Sequence, residues 1–149
     1  MALAVRHAPF AVLVLPYAVA LDGTTSFVVF RPASQREPGW HALAGDGVRG
    51  ELPLDAARRE ACDAAGVPSD AAWLALDSRA TVEHPATPRG VPEFAFGVRV
   101  IEDEVRSPRG RLDHRWVSYE LADGLLDREA DRNALYELRR RLGRPAGCC

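Results

Sequence analysis

The chain has 149 residues, which is enough for one domain with a substantial hydrophobic core and too few for a second domain of ordinary size. Its formal net charge is −2, so the composition gives no electrostatic basis for binding a nucleic-acid backbone, and no nucleic-acid partner is expected. Three cysteines without a Cys-x2-Cys or histidine pairing predict neither a disulfide framework nor a zinc site.

The first predicted element is a strand near residues 10–20. This segment is almost entirely apolar and ends in the small residues Ala18–Ala20, so it also has the features of a secretory signal peptide with its cleavage site. The charged region before it is short, and Pro16 interrupts the apolar run, which favours a buried strand in a cytoplasmic protein. No other segment approaches membrane-spanning length, so no membrane partner is expected.

Strand and helix patterns alternate through the rest of the chain. The Asp-Gly pair within Leu21–Thr24 predicts a tight turn, and the β-branched and aromatic residues after it predict a strand over Ser26–Arg31. Pro53 suits the first turn of a helix, and the run 54–65 has no helix breaker before Gly66. The remaining predicted elements are strands over 73–83 and 91–101 separated by a loop over 84–90, a short strand over 116–119, and a C-terminal helix over 127–142.

The most informative stretch is Gly45–Val67, because chemically distinctive residues recur in it at fixed spacing. Glu51 follows Gly45 after five intervening residues, and the adjacent pair Arg59 and Glu60 follows after seven more. An ordinary amphipathic helix with solvated acids does not require such spacing. The combination of a loop and a helix at these intervals therefore favours a functional motif.

One face of the predicted helix carries acids. Residues 60, 63 and 64 lie three and four apart, so they share a face. Glu60 and Asp63 present two carboxylates there, whereas Ala64 presents none. Mg²⁺ prefers hard oxygen ligands and is usually held by one or two carboxylates together with substrate phosphates. This face therefore predicts a site that holds a divalent ion against a phosphate group.

The stretch resembles the Nudix box of nucleoside-diphosphate-X hydrolases, written G-x5-E-x7-R-E-U-x-E-E-x-G-U with U a bulky apolar residue. The resemblance implies a single Nudix domain over residues 1–149, an α/β protein in which an α/β/α sandwich surrounds a central mixed sheet. The matching positions are Gly45, Glu51, Arg59, Glu60, Gly66 and Val67. The departures are Ala61 in place of a larger apolar residue, Asp63 in place of Glu, and Ala64 in place of a second Glu.

The resemblance also implies an activity and a cofactor. It implies hydrolysis of a pyrophosphate linkage in a nucleoside triphosphate or other nucleoside-diphosphate-X compound, with Mg²⁺, or Mn²⁺ in its place. Glu60 and Asp63 would be metal ligands, joined by a backbone carbonyl near Gly45. Glu51 and Arg59 would pair to brace the loop against the helix. The missing carboxylate at position 64 is expected to weaken the metal site and the activity.

Weaker similarities outside the box resemble the dATP and dihydroneopterin triphosphate pyrophosphohydrolase group. That group carries acids ahead of an Arg-Trp strand. Here the inner acid is kept as Asp113, which the resemblance makes a further metal ligand, and the outer acid is replaced by Gly110. The other similar segments are Val28–Arg31 followed by Trp40, the Arg-Trp pair at 115–116, and Arg132–Leu135.

Glu93 is a candidate on its position alone. It alternates with Phe94 along a predicted strand, so its carboxylate either faces the metal site, as a ligand or base, or is solvated. Either Glu60 or Glu93 is therefore expected to assist the attacking water.

Other side chains are candidates for contacting the substrate. Arg31 is expected to bind the distal phosphates through its guanidinium fork, whereas Arg36 is expected to be solvated. Trp40, at the exit of a polar loop, is a candidate for stacking on a base. His84 and His114 either contact phosphate or donate protons, or they are ordinary surface histidines.

A second function fits the same residues. A Nudix domain that has lost catalysis would bind a nucleotide-like ligand without hydrolysing it, and Ala64 and Gly110 favour that alternative. Either function predicts a small nucleotide-like diphosphate as the partner. The sequence leaves open the identity of the substrate and whether the chain forms a homodimer. All nineteen basic residues are arginine, which is typical of a GC-rich genome and predicts a bacterial source.

Overall fold

The computed structural model of the protein describes residues 9–34, 39–48, 50–85 and 87–143. Arg36 and the terminal Cys148–Cys149 lie outside these residues. Within the described ranges, no helix is long and apolar enough to cross a membrane. The elements are β1 (Ala11–Val19), β2 (Thr25–Pro32), β3 (Leu43–Asp46), α1 (Pro53–Ala65), β4 (Ala72–His84), β5 (Thr87–Arg99), a 3-10 turn (Glu102–Glu104), β6 (Leu112–Val117), α2 (Tyr119–Leu125) and α3 (Glu129–Leu142).

The strands form one mixed sheet in the order β4-β5-β1-β2-β6, and β3 pairs with β1 outside this path. β1 is parallel to β5 and antiparallel to both β2 and β3, so it lies at the centre of the sheet. Helix α1 packs against one face of the sheet, and helices α2 and α3 pack against the other. The predicted α/β architecture with a central mixed sheet is confirmed.

The side chains of β1 alternate between two hydrophobic cores. Val12 and Val14 belong to the core under α1, whereas Leu13 and Leu15 belong to the core under α2 and α3. All four are at most 1% exposed. A strand that is buried on both faces has a continuous apolar run instead of an alternating pattern. This explains why segment 10–20 has the composition of a signal peptide although it forms the central strand.

Helix α1 packs closely against the sheet through alanines. Pro53 begins the helix, and Gly66 ends it with a φ of 72°, a left-handed conformation that glycine adopts without strain. The backbone N–H of Gly66 donates to the carbonyl of Cys62 at 3.0 Å, so the last turn is closed. The side chains that face the sheet are the fully buried Ala56, Ala57, Ala61 and Ala65.

The β4–β5 hairpin is longer than the sequence predicts. A loop is predicted over 84–90, but β4 extends to His84 and β5 begins at Thr87. The register shifts between Val82 and His84, and Gly90 has a φ of 80°. An irregularity of this kind lets a strand pair continue through a sequence that contains glycine and proline.

The limits of β6 also differ from the prediction. A strand is predicted over 116–119, but β6 covers Leu112–Val117 and helix α2 follows immediately. Ser118 separates the two elements, because its hydroxyl accepts a hydrogen bond from the backbone N–H of Leu121 at 3.2 Å and caps the helix. Helix α2 has seven residues, too few for the sequence to show a helical period.

Glu137 of α3 supports an irregularity in β4, where the register shifts between Ala75 and Arg79. Its carboxylate accepts hydrogen bonds from the backbone N–H groups of Asp77 and Ser78 at 2.7 and 2.8 Å. Burial alone would raise the pKa of Glu137, but these hydrogen bonds and a neighbouring guanidinium outweigh it and lower the pKa. The carboxylate therefore ties α3 to the edge of the sheet.

Replacing Glu137 with alanine should lower the free energy of unfolding by about 1.5 kcal/mol. This is the low end of the range for hydrogen bonds to a charged acceptor, and it applies because the site is partly exposed. Since the pKa of Glu137 is lowered, its contribution should be full above the ordinary value of 4.5 and lost as the pH falls through the lowered value. Chemical denaturation at neutral and acidic pH measures this. The exposed Asp123→Ala on α2 is the control, and an equal loss in both variants would contradict the assignment.

Candidate active site

Arg59 fixes the loop between β3 and α1. Its Nε and Nη2 donate to the two carboxylate oxygens of Glu51 at 2.9 and 3.1 Å, and Nη2 also donates to the backbone carbonyl of Asp46 at 2.8 Å. Glu51 in turn accepts the backbone N–H of Val48 at 2.8 Å. The hydrogen bonds from Arg59 are the main reason that the pKa of Glu51 lies below its usual range. One planar guanidinium thus joins the end of β3, the loop and the helix.

Glu60 lies on α1 directly against Gly45 of β3. Nη1 of Arg59 donates to Oε2 of Glu60 at 2.9 Å, and the Glu60 side chain is one-quarter exposed, 25%. A Cβ atom at position 45 would overlap the Glu60 carboxyl group, so a residue larger than glycine would displace that side chain. The backbone of β3 therefore approaches Glu60, one of the two carboxylates that the sequence predicts as metal ligands.

A cavity of about 440 Å³ opens beside Glu60 and is named here the helix cavity. Asp63 is exposed on its wall, and the half-buried Ala64 contributes only a methyl group. His41, which the sequence did not single out, lines the same cavity and places Nδ1 2.7 Å from the carbonyl oxygen of Ala42. The lining also includes Arg59 of α1, Leu43 and Ala44 of β3, Leu112 of β6 and the loop that precedes β6.

Glu93 of β5 lines a second cavity, of about 640 Å³, named here the Glu93 cavity. This cavity adjoins the helix cavity at Ala44, and Gly45 also lines it. The Glu93 side chain is 4% exposed, and its two oxygens accept from Nη2 and Nη1 of Arg128 at 2.8 and 3.4 Å. The solvated alternative for Glu93 is therefore wrong, because the carboxylate is buried against a guanidinium.

Arg128 is shared between two buried acids. Its Nη1 also lies 3.4 Å from Oδ1 of Asp131, a side chain that is 1% exposed. Oδ2 of Asp131 accepts the backbone N–H of Ala42 at 3.1 Å, which fixes the segment leading into β3. Burial raises the pKa of Asp131, against the opposing effects of the Ala42 hydrogen bond and the Arg128 charge. Neither Arg128 nor Asp131 was predicted, although their spacing at the start of a helix was an available signal.

A third cavity, named here the Trp40 cavity, adjoins the helix cavity at Ser107 and Leu112. The guanidinium of Arg31 lies over the Trp40 ring, 4.5 Å from its centroid, and Nε of Arg31 is 3.7 Å from Oδ2 of Asp113. Trp40 is 8% exposed. A base can therefore stack on this face of the indole only if Arg31 moves.

The two histidines that the sequence left open lie in different places. His114 is on β6 and lines the Trp40 cavity, where its ring is 6.4 Å from that of Phe30. His84 lies at the β4–β5 hairpin, where it pairs with Thr87. His41 is therefore the histidine that lines the helix cavity.

The structure brings only some of the predicted metal ligands together, because Gly45 lies against Glu60 whereas Asp113 lies in another cavity. Among the described residues, no group of three or more His, Cys, Asp or Glu side chains is arranged to hold a metal ion. Glu60 and Asp63 line the helix cavity, Glu93 the Glu93 cavity, and Asp113 the Trp40 cavity. Because Mg²⁺ commonly uses one or two carboxylates together with substrate phosphates, Glu60 and Asp63 fit one ion that arrives with a phosphate.

No protein-family model matches the chain, and no curated protein matches it significantly. A protein of Listeria monocytogenes described as a Nudix hydrolase is 30% identical, with 91% of this chain and 94% of that chain aligned and a TM-score of 0.81. The C. elegans Ap4A hydrolase, solved as a binary complex, is 21% identical over 91% of this chain and 98% of that chain, with a TM-score of 0.67. The E. coli dihydroneopterin triphosphate pyrophosphohydrolase is 16% identical over 89% and 95%, with a TM-score of 0.73. These last two structures show a shared fold.

Arg59→Lys should lower the free energy of unfolding by about 1–3 kcal/mol, because an ammonium group cannot reproduce the bidentate contact with Glu51. The variant should also weaken Mg²⁺ binding without altering a proposed ligand. Thermal denaturation and calorimetry measure the two effects. Arg58→Lys is the matched control, since Arg58 is the adjacent residue and lies 4.0 Å from Asp55 on the outer side of the helix. An unchanged midpoint with unchanged metal affinity would show that the Arg59 contacts do not shape the site.

Arg128→Met should lower the free energy of unfolding by about 2–3 kcal/mol at neutral pH. This loss is smaller than the loss expected on breaking a fully buried ion pair, because Arg128 is partly exposed. The variant leaves Glu93 and Asp131 buried without their shared cation. Since the pKa of Asp131 is already raised, protonation should relieve this cost, and the loss should shrink as the pH falls. Denaturation at neutral and mildly acidic pH tests this, with the exposed Arg140→Met of α3 as the control. A loss independent of pH would point to packing instead of charge.

Proposed function

Because the chain belongs to the Nudix hydrolase family, we propose that it hydrolyses a pyrophosphate linkage in a nucleoside triphosphate or other nucleoside-diphosphate-X compound, with Mg²⁺ or Mn²⁺ as cofactor. The observation that carries the proposal is the intact set of contacts made by Arg59. The guanidinium holds Glu51 and the carbonyl of Asp46, and it orients Glu60 against Gly45. A chain that retained the fold for other reasons would have no need to keep these four groups together.

In this proposal Glu60 and Asp63 hold one divalent ion together with the substrate phosphates. When bound, such an ion neutralises charge on the phosphates and lowers the pKa of a bound water. Glu60 is positioned for this by Arg59, which occupies one of its carboxylate oxygens and leaves Oε1 beside Gly45. Arg59 is thus a positioning residue, since it already contacts two carboxylates.

We assign assistance of the attacking water to Glu60 in preference to Glu93. Both oxygens of Glu93 face Arg128, and the side chain is buried. Glu93 would act as a base only if Arg128 moved away. In the resting arrangement, Glu93 instead holds Arg128 at the wall of the Glu93 cavity, where the Arg128 side chain is 38% exposed.

On the substrate side we propose that Arg31 and Trp40 receive the part of the substrate beyond the cleaved linkage. Asp113 lies beside Arg31, in a different cavity from Glu60, so we assign it to orienting the guanidinium instead of binding the metal. The Arg31 Nε atom is buried and has no hydrogen-bond partner among the described residues. The Arg31 side chain as a whole is 31% exposed, so its terminal nitrogens are the ones that would meet an acceptor on a bound ligand.

A second candidate function is binding without hydrolysis, and Ala64 is the observation that favours it. Losing one carboxylate reduces the negative charge available to a cation and leaves a two-acid site. In either case we propose that the ligand is a small nucleotide-like diphosphate and that the protein acts in the cytoplasm.

Restoring the acidic pattern distinguishes the two functions. Asp63→Glu combined with Ala64→Glu should raise Mg²⁺-dependent hydrolysis of nucleoside triphosphates by about 10²-fold, because a misplaced or missing ligand costs about that much. Glu60→Gln should abolish hydrolysis in both backgrounds, whereas Asp55→Asn, on the exposed outer side of α1, should not. Phosphate release is measured over a panel of nucleotides with Mg²⁺ and with a chelator. If the restored variant is inert while the wild-type protein binds a nucleotide, the binding function replaces the hydrolase.

A further inference from the structure

Two arginines in the loop before β6 are directed to the helix cavity without a carboxylate partner. Arg109 and Arg111 both line that cavity and are exposed, and neither guanidinium forms an ion pair with a described residue. The other arginines at the site are occupied. Arg59 contacts two carboxylates, and so does Arg128. Arg109 and Arg111 are therefore free to bind an external anion.

The loop that carries them is attached to the rest of the fold at both ends. The backbone N–H of Arg106 donates to the carbonyl of Ala65, at the end of α1, at 2.9 Å. The carbonyl of Arg111 accepts the backbone N–H of Ala33, after β2, at 2.9 Å. These two hydrogen bonds place the loop over the helix face that carries Ala64.

A tight turn orients the loop. The backbone N–H of Gly110 donates to the carbonyl of Ser107 at 3.0 Å, with Pro108 at the second position of the turn. Gly110 has a φ of 65°, a conformation that side-chain-bearing residues rarely adopt. The hydroxyl of Ser107 also accepts the backbone N–H of Leu112 at 3.1 Å. The glycine that replaces the expected outer acid therefore shapes the turn that presents the two arginines.

The charge at the helix cavity favours an anion with several negative charges. Guanidinium groups bind phosphate oxygens through two parallel hydrogen bonds. A carboxylate at position 64 would add a negative charge to this wall, so alanine there shifts the balance towards anion binding. The charged residues of the lining are the cations Arg59, Arg109 and Arg111 and the anions Glu60 and Asp63.

We propose that Arg109 and Arg111 form a subsite for the terminal phosphates of a polyphosphate chain. The proposal rests on the proposed function, because hydrolysis at Glu60 places the cleaved linkage in the same cavity. The two guanidinium groups supply fixed positive charge beyond the one ion that Glu60 and Asp63 can hold. The substrate class that fits is a compound with three or more consecutive phosphates, since the phosphates beyond the metal site need further cations.

Calorimetric titration of the full-length protein with inorganic tripolyphosphate, in the presence of a chelator, tests the subsite without any metal or hydrolysis. The wild-type protein should bind, and Arg109→Ala combined with Arg111→Ala should bind at least about tenfold more weakly. The control is Arg89→Ala combined with Arg99→Ala, which removes the same charge from exposed positions of β5. It should change the affinity less than about twofold. Absence of binding by the wild-type protein, or an equal loss in the control, would overturn the subsite.

Chain length and charge reversal provide independent readouts. Affinity should increase from orthophosphate to pyrophosphate to tripolyphosphate, and equal affinities would overturn the polyphosphate assignment. Asp63→Asn should strengthen tripolyphosphate binding without metal, because it removes a neighbouring negative charge. Failure of the proposed function has a different signature, in which nucleoside triphosphates are not hydrolysed with Mg²⁺ although tripolyphosphate still binds with the chelator present.

Discussion

The Arg59 guanidinium joins three parts of the chain through direct hydrogen bonds. It contacts Glu51 in the loop, the backbone carbonyl of Asp46 at the end of β3, and Glu60 on α1. β3 has only four residues and pairs with β1, so it cannot by itself set the position of the helix. The planar fork of an arginine can satisfy these acceptors together, and the close contact between Gly45 and Glu60 depends on that arrangement. The loop that shapes the site is thus held by charge and hydrogen bonding, whereas the helix beneath it is held by buried alanines.

The acids around this loop are balanced by arginines. Glu60 contacts Arg59, Glu93 contacts Arg128, and Asp113 lies beside Arg31, so each of the three cavities has an acid–arginine pair in its wall. Asp63 is exposed and has no ion pair among the described residues. A carboxylate that is already paired with an arginine attracts a free cation less strongly. The charge of a divalent ion would therefore be neutralised mostly by the phosphates that accompany it. The same balance explains why free guanidinium groups at Arg109 and Arg111 suit an anionic ligand.

The departures from the box pattern have different physical consequences. Ala61 is fully buried among the alanines of α1, so a small side chain there is compatible with close packing on the sheet. Ala64 lies at the cavity wall, where the missing group changes charge and leaves the fold intact. Asp63 keeps its charge, but its side chain is one methylene shorter than glutamate. The fold is therefore insensitive to the positions that decide the chemistry, because it depends on the volume and burial of apolar side chains, not on carboxylates.

The sequence by itself determined the elements whose signals are local. The apolar run of β1 and the helix over Pro53–Ala65 each depend on neighbours along the chain, and each formed as predicted. The hairpin over 84–90 and the helix after Ser118 were predicted incorrectly, because a bulge and a short capped helix depend on a few backbone contacts and have no period.

Only the tertiary structure decided which charges meet across long separations in the chain. Glu93 and Arg128 are 35 residues apart, and Asp131 reaches the backbone of Ala42 across 89 residues. The periodicity of a sequence indicates on which side of a helix or strand a side chain lies. It does not indicate which other element packs against that side. Partners across such distances are set by the order of the strands and the packing of α3 against the sheet.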